Sequence, residues 1–578
     1  MLIRLLEGVL RRPRPASDRI TSILQRADAL ESAGKLSEAE AVYREALALD
    51  PGNAVGWNNL GWVLQGQERP EAALEAYHAA LSLEPGLLIA RNNAGTIHRL
   101  RGEFDAARAE YETAYRAAPG DALTRINLGT LLLKQGEAES ALAHFRDAVA
   151  LAPQMEEALR ALLLALNFLP GVDPAEAFAY YRAWGERCTA RVRRRQPQRD
   201  WLPERRLRVG YVSPDFRSHA MSNFIEPLLA HHDPAAVEVF CYDNSQAHDT
   251  VTARLQGYGA NWRAIRGVDD DTVADLVERD RIDILVDLAG HTVGERLDMI
   301  ARHPAPVQVS FLGYLNTAGL GALDYRVTDS WADPPGTADR YHVERLWRLP
   351  GSSLCFRPPD NAPEVAPLPA LESGHVTFGS FNNFTKLNHS VTDAWIALLE
   401  TCAGSRLLLT GAPEGEARAG FAARFAARGI DASRVEFTGR LPLQAFRELH
   451  GRVDIALDPF PYAGGATTCE SMWMGVPVVT LAGAFGFART GISLLQGIGL
   501  ESLVAEDVDE YVEIAARLAA DLPSLAQLRQ SLRERVRQSQ LCDGVRFCKK
   551  LEAAYRGMWR ERCGLHGVQR HDQPTRTN

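Results

Sequence analysis

Residues 458–481 read DPFPYAGGATTCESMWMGVPVVTL, and the order of residue types in this stretch decides the fold of the second half of the chain. An apolar strand-like run ends at Asp458. A loop follows in which Ala463, Gly464, Gly465 and Ala466 let a ligand approach the backbone closely, and a helix begins near Thr467 and Thr468. Free amides at a helix start, with two threonine hydroxyls beside them, form an anion site suited to a diphosphate. Glu470 falls in the first turn, where a carboxylate accepts hydrogen bonds from ribose hydroxyls or simply complements the helix dipole.

Working outward, LRVGYVS, VEVFCYD, DILVDLAG, VQVSFLG and YRVTD read as strands of one sheet, and VTFGSF, RLLLTG, VEFTG, VDIALDP and VPVVTL as strands of a second. Helical stretches alternate with them, which predicts two parallel sheets covered by helices. The expected boundaries are a first Rossmann-like domain over 205–357, a proline-rich linker over 358–374, a nucleotide-sugar-binding Rossmann-like domain over 375–540, a C-terminal helix over 541–565 and a disordered tail over 566–578. Two doubly wound domains in tandem open their strand C-termini on a shared cleft. This arrangement fits nucleotide-sugar transferases of the two-Rossmann (GT-B) type, and it also fits periplasmic binding proteins and some dehydrogenases. No GxGxxG follows the first strand, which disfavours dinucleotide binding.

Three further motifs carry chemistry. FGSFNNFTKLN places Lys386 after a strand, among Asn382, Asn383 and Thr385, where a lysine neutralises charge growing on a departing diphosphate as a metal does elsewhere. VGYVSPDFRSHAMSNF carries His219 and DLAGHTVGE carries His291, both at strand mouths of the first domain. Histidine suits removal of a hydroxyl proton near neutral pH, and Asp215 and Asp287 stand where they orient a histidine or hold an acceptor hydroxyl. Each histidine alone also fits a structural role. The run Asp269–Asp270–Asp271 has the look of a DxD metal motif but stands just before a helical stretch, so it reads as an N-cap and no metal ligand is assigned.

The first half is different. Pro51, Pro85, Pro119 and Pro153 recur every 34 residues, in step with Gly61, Gly95 and Gly129 and with Tyr43, Tyr77, Tyr111 and Phe145. That is the period of the tetratricopeptide (TPR) helix–turn–helix repeat, whose solenoid presents a concave face to polypeptides. The solenoid is expected over 20–155, after an N-terminal arm over 1–19 that reads as amphipathic and lacks a signal-like apolar core. Asn59, Asn93 and Asn127 recur mid-helix, with Asn58 and Asn92 beside them. They read either as an amide ladder for an extended peptide, or as amides that bridge repeats or simply face water. Residues 156–204 read as a helical adaptor followed by a solvated basic linker, RVRRRQPQRDWLPERR.

A net charge of −9 argues against bulk nucleic-acid binding, and the eight cysteines show no CxxC pair or zinc spacing, as expected of a cytoplasmic protein. No apolar run is long enough for an ordinary membrane span.

Together these motifs, from about Ile20 to Cys563, resemble the bacterial members of the O-GlcNAc transferase/SPINDLY family: TPR repeats followed by a metal-independent, inverting GT-B glycosyltransferase. The resemblance implies that His219 matches the histidine first proposed as general base in that family. It implies that Lys386 contacts the nucleotide diphosphate, that Asn383 stands where the animal enzymes have a glutamine near the phosphates, and that Thr467 and Thr468 open the phosphate-binding helix. Glu470 matches the ribose-binding acid, Leu312 and Gly313 the loop beside the sugar, and Phe446 replaces a histidine that stacks on uracil. There are departures. Where the animal enzymes read GHTTGMD this chain reads GGATTCE, and TTCES with DLAGHT is closer to the SPINDLY branch, which uses GDP-fucose. The long insertion between the catalytic lobes of the animal enzymes has no counterpart. The expected function is transfer of GlcNAc from UDP-GlcNAc to Ser/Thr of polypeptides held by the solenoid, with no cofactor beyond the donor. GDP-fucose-dependent transfer, asparagine-linked glucosyl transfer and a nucleotide-binding scaffold without turnover are the alternatives.

Overall fold

The computed structural model describes residues 15–571. The expected arm lies outside the described residues as far as residue 14, and the expected tail from residue 572. The arm and tail are shorter than expected at their inner ends, because residues 15–19 belong to the first helix and the last helix, Gly544–His571, takes in 566–571. Two compact units are present: the repeats up to Gln154, and the chain from Met155 onward, with Leu133–Leu142 counted in the second and Glu414–Glu416 in the first.

The repeats are four helix pairs: α1 (Pro15–Ser32) with α2 (Leu36–Leu49), α3 (Ala54–Gly66) with α4 (Pro70–Leu83), α5 (Leu88–Leu100) with α6 (Phe104–Ala117), and α7 (Ala122–Lys134) with α8 (Ala138–Leu151). The periodic prolines follow the second helix of each pair. The glycine and aromatic columns meet inside the last three pairs. A Cβ on Gly61 would lie 2.6 Å from the Tyr77 ring, on Gly95 2.6 Å from Tyr111, and on Gly129 2.8 Å from Phe145. The missing side chain is the space that the ring fills.

In the second unit, β1 (Leu207–Ser213), β2 (Val237–Asp243), β3 (Asn261–Ala264), β4 (Ile284–Asp287), β5 (Val307–Ser310), β6 (Tyr325–Asp329) and β7 (Arg345–Leu349) form a parallel sheet in the order β3-β2-β1-β4-β5-β6-β7. A second parallel sheet is built from β8 (Thr377–Ser380), β9 (Arg406–Leu409), β10 (Val435–Phe437), β11 (Ile455–Leu457), β12 (Val478–Leu481) and β13 (Val504–Ala505), in the order β10-β9-β8-β11-β12-β13. The central strands are buried on both faces and apolar, as parallel strands under helices must be. The sequence reading missed β3, β7 and β13, which are edge strands with polar or very short runs.

Two expectations are corrected. The basic stretch after residue 190 is not a solvated linker. Arg195 pairs with Asp275 at 2.5 Å, Arg199 donates to the Ile282 carbonyl at 2.9 Å, and Arg205 grips the fully buried Asp283 at 2.6 and 2.7 Å. The adaptor helices α9 (Glu156–Ala165) and α10 (Pro174–Ala190) likewise form a wall of the first domain. Gly185 lies so close to Gly319 that a Cβ would sit 1.8 Å from its carbonyl oxygen. The acidic run behaves as the cap reading predicts: Asp269 accepts from Thr272 N at 2.9 Å, while Asp270 pairs with Arg296 and Asp271 with Arg302.

After the second sheet the chain returns to the first. The helix Gly544–His571 packs there through Cys548, Leu551, Tyr555 and Trp559, all fully buried, each such apolar side chain contributing about 1.5–3 kcal/mol. Trp559 stacks on Trp201 at 5.5 Å, and Glu552 accepts from Asp233 N at 2.9 Å. Among the described residues no helix is long and apolar enough to cross a membrane.

Candidate active site

Each sheet reverses its strand order between two neighbouring strands, β1 and β4 in the first and β8 and β11 in the second. A crevice opens at the C-terminal ends of such a pair, because the following connections leave to opposite faces. His219 follows β1, His291 follows β4, Lys386 follows β8 and Thr467 follows β11. The topology therefore places these four segments at the two crevices.

The second sheet supplies a connected network. Asp458, buried at the end of β11, accepts from Thr468 Oγ1 at 3.0 and 3.2 Å, and Asn382 Nδ2 lies 3.4 Å from its Oδ1. Asn382 Oδ1 in turn accepts from Lys386 Nζ at 3.1 Å and from Thr467 Oγ1 at 3.0 Å. Lys386 Nζ also donates to the Ala463 carbonyl at 2.8 Å. An ammonium has three donors, so this geometry leaves one for an oxyanion. The helix Ala466–Trp473 starts beside it, and its first-turn amides have no intrahelical acceptor. Gly464 admits no side chain, since a Cβ would lie 2.2 Å from Thr468 Oγ1. Burial pushes the Lys386 ammonium down to about 8 while Asp458 opposes the shift. Burial likewise raises the Asp458 carboxyl, and Lys386 opposes that.

One turn further along, Glu470 is buried with Arg447 3.5 Å away; burial raises its carboxyl and Arg447 holds it back. Phe446 is half-buried, its ring edge-on to Phe381 at 5.7 Å and to His450 at 5.3 Å. Phe381 stacks flat on His450 at 3.6 Å, and burial pushes that imidazole down to about 4.

In the first sheet, His219 is exposed and its Nδ1 lies 3.3 Å from Asp215 Oδ1. The surrounding loop still strips part of the solvent from the ring, which lowers the imidazole with Asp215 working against it, while burial raises the Asp215 carboxyl with His219 working against that. Asp287 accepts from Ala289 N at 3.2 Å and Gly290 N at 2.8 Å, so both oxygens hold the turn after β4, and burial lifts its carboxyl to about 6. His291 packs edge-on against Trp184 at 4.5 Å and beside Tyr314, and its Nε2 meets the Ala318 carbonyl at 2.9 Å. Burial takes it down to about 4. One side of its ring is thus engaged by the wall that α10 provides, a constraint that its position at a strand mouth did not reveal. Leu312 holds φ 62°, and Gly313 admits no Cβ because the Leu288 carbonyl oxygen would be 1.9 Å away. Leu312 and Phe311 line a cavity with Gly486, Thr490 and Ser493 of the second sheet's domain.

The structure thus joins Lys386, Thr467 and Thr468 into one network and leaves Glu470 and Phe446 one turn away. It does not bring Asn383 into the network: that residue is exposed and caps its own turn by accepting from Thr385 N at 3.0 Å. The inward amide is its neighbour Asn382. Asp458 and Arg447 were not singled out by sequence reading either. A charged residue ending a buried strand is the signal that finds Asp458.

In the repeats, Asn59, Asn93 and Asn127 are half-buried. Asn93 Nδ2 donates to Asn58 Oδ1 at 3.1 Å, and Asn127 Nδ2 to Asn92 Oδ1 at 2.9 Å. These donors bridge successive repeats, the second of the two readings, while Asn59 Oδ1 accepts from Asn58 within its own helix.

Comparison with known proteins agrees with this architecture. The family model described as glycosyl transferase family 41 matches residues 190–354 and 368–551. Models described as tetratricopeptide repeat match 21–63, 58–122 and 122–152. A Petunia hybrida protein named "Probable UDP-N-acetylglucosamine--peptide N-acetylglucosaminyltransferase SPINDLY" is 43% identical over 422 residues, covering 71% of this chain and 45% of its own length. The Caenorhabditis elegans UDP-N-acetylglucosamine--peptide N-acetylglucosaminyltransferase is 26% identical over 476 residues, 61% of this chain and 41% of its own. The chain spans less than half the length of these curated relatives. The solved structure of a Thermobaculum terrenum O-GlcNAc transferase mutant superposes with a TM-score of 0.82 at 32% identity, covering 96% of this chain and 100% of that one. With the repeats, the two sheets and the matched segments all in place, the chain belongs to glycosyl transferase family 41.

Proposed function

We propose that the chain is an inverting protein O-glycosyltransferase that moves GlcNAc from UDP-GlcNAc to Ser and Thr hydroxyls of polypeptides engaged by the TPR repeats. The acceptor oxygen attacks the anomeric carbon on the face opposite the diphosphate. One carbon–oxygen bond forms as the bond to the phosphate oxygen breaks. The hydroxyl proton passes to His219, whose imidazole is shifted toward the neutral, proton-accepting form. The electron pair leaves with the diphosphate, whose charge meets the Lys386 ammonium, the Thr467 hydroxyl and the first-turn amides of the helix Ala466–Trp473. Lys386 supplies the positive charge a divalent metal supplies elsewhere, so the reaction proceeds in EDTA. Glu470 accepts from the ribose, and Phe446 borders the base. Half-buried Asn59, Asn93 and Asn127 line the path of the acceptor backbone, the Oδ1 atoms of Asn93 and Asn127 facing it while their Nδ2 groups bridge repeats.

The observation that carries this reading is Lys386 itself, held by Asn382 and Ala463 beside a helix start with one donor left. The test is transfer of radiolabelled sugar to lysate proteins, from UDP-GlcNAc and separately from GDP-fucose. Labelling from UDP-GlcNAc by wild type and not by Lys386→Ala is the expected result. Labelling from GDP-fucose alone overturns the donor, equal labelling by the variant overturns the role of Lys386, and labelling from neither overturns catalysis.

A further inference from the structure

Four aromatic rings stack in a row beside Lys386, and they come from separate parts of the chain. Phe168 ends the short turn Leu166–Phe168 that follows α9, and its ring lies 5.2 Å from that of Tyr462, inclined by 19°. Tyr462, in the loop before the helix Ala466–Trp473, stacks on Phe487 at 5.3 Å and 24°. Phe487 stacks on Phe485 at 5.1 Å and 14°. Lys386 Nζ sits 4.6 Å from the centre of the Tyr462 ring.

Hydrogen bonds to backbone carbonyls fasten the row. Asn388 donates to the carbonyls of Phe168 at 3.2 Å and Phe460 at 2.6 Å, and Ala463 N donates to the Phe487 carbonyl at 3.2 Å. A tyrosine held between two rings cannot turn without breaking both stacks, and the face it offers attracts a cation. The same loop presents the Ala463 carbonyl to Lys386, so the loop fixes the lysine twice.

We infer that Phe168 is a positioning residue for the leaving-group site: by bracing Tyr462 it fixes where Lys386 stands, and so makes the helical segment 156–190 part of the catalytic apparatus. The claim deepens the transferase reading and rests on it for the role of Lys386, but its geometry is testable without any transfer. The charged group facing Lys386 is Asp458 at the end of β11, and Arg326 of β6 acts on Tyr462. Neither is altered by a change at Phe168.

The chain has five lysines, Lys35, Lys134, Lys386, Lys549 and Lys550, so amine acylation followed by peptide mass spectrometry reads Lys386 against internal references. Three full-length proteins are compared: wild type, Phe168→Leu, which removes the ring with little change in volume, and Phe168→Tyr, which keeps it. Phe168→Leu is expected to speed acylation of Lys386 relative to Lys35 by about threefold or more, with Phe168→Tyr matching wild type; coupled contacts have effects of this size. In a Tyr462→Leu background Phe168→Leu is expected to add nothing. Unchanged Lys386 acylation in Phe168→Leu overturns the inference. So does an equal rise at all five lysines, which reports general loosening, or an undiminished effect without Tyr462. If acylation behaves as expected and wild type transfers no sugar, the brace stands and the proposed function falls.

Discussion

Lys386 and Thr467 share one acceptor: Asn382 Oδ1 receives the ammonium at 3.1 Å and the hydroxyl at 3.0 Å. The cation and the start of the helix Ala466–Trp473 are therefore aligned by a single amide, itself 3.4 Å from buried Asp458. Disturbing that amide disturbs both groups at once.

Replacing Asn382 by Ala is expected to weaken UDP binding by about tenfold, the loss of about 1.4 kcal/mol that follows when a shared acceptor disappears. Asn383→Ala, which removes only an exposed cap, stays within about twofold of wild type. Calorimetric titration of UDP into the two variants checks both, and equal losses would show that the wrong amide has been chosen.

The lysine titrates within reach of ordinary buffers. Burial lowers it from the ordinary lysine value of 10.5 to about 8, so the ammonium is lost as pH rises through 8. The donor kcat/KM is expected to fall on that alkaline limb, and Lys386→Arg, if it retains measurable activity, should extend the limb upward because guanidinium keeps its charge. The linkage has a definite sign. Between about 8 and 10.5 the unfolded chain binds the extra proton, so this group makes stability rise with pH across that window, and its cost is fully present below it. Lys386→Met is expected to flatten that rise in urea melts recorded from pH 7 to 10.

Gly185 packs against backbone, not against a side chain that can move aside. Gly185→Ala is expected to cost about 1–3 kcal/mol or more despite alanine's better helix propensity, because neither α10 nor the Gly319 turn can yield easily. Thermal melts check this. Gly95→Ala, facing the Tyr111 ring at 2.6 Å, should be milder, since a ring can shift by a few tenths of an ångström.

Arg205→Ala leaves the carboxylate of Asp283 buried without its main partner, although Arg208 N still donates to it at 2.8 Å. The expected loss is about 3–5 kcal/mol by urea unfolding. A change of a few tenths would mean that residues 191–206 are a tether after all. Arg205→Ala combined with Asp283→Ala should lose less than the sum of the two single changes.

Much of this was legible in the residues. The Gly61–Tyr77 and Gly95–Tyr111 columns announced their packing because a small residue and a ring recurring in register have one economical arrangement. Lys386, Thr467 and Thr468 were legible because a strand end, small residues and a helix start are consecutive in the chain. Asn382 and Asn383 were not distinguishable, since which of two adjacent amides turns inward depends on a capping bond three atoms long in its reach. His291 stood at a strand mouth, yet whether its ring faces the cleft or Trp184 depends on residues more than a hundred positions away.

Local pattern by itself determined the repeats, the two wound sheets and the segments that carry the candidate site, because period, strand–loop–helix order and glycine placement act over a few turns of chain. Only the tertiary structure decided that residues 156–206 belong to the first domain, that the last helix returns to it, and that Phe168 braces Tyr462 beside Lys386. Those outcomes rest on ion pairs, ring stacks and backbone contacts between residues far apart in sequence, where the chain's own periodicity carries no information.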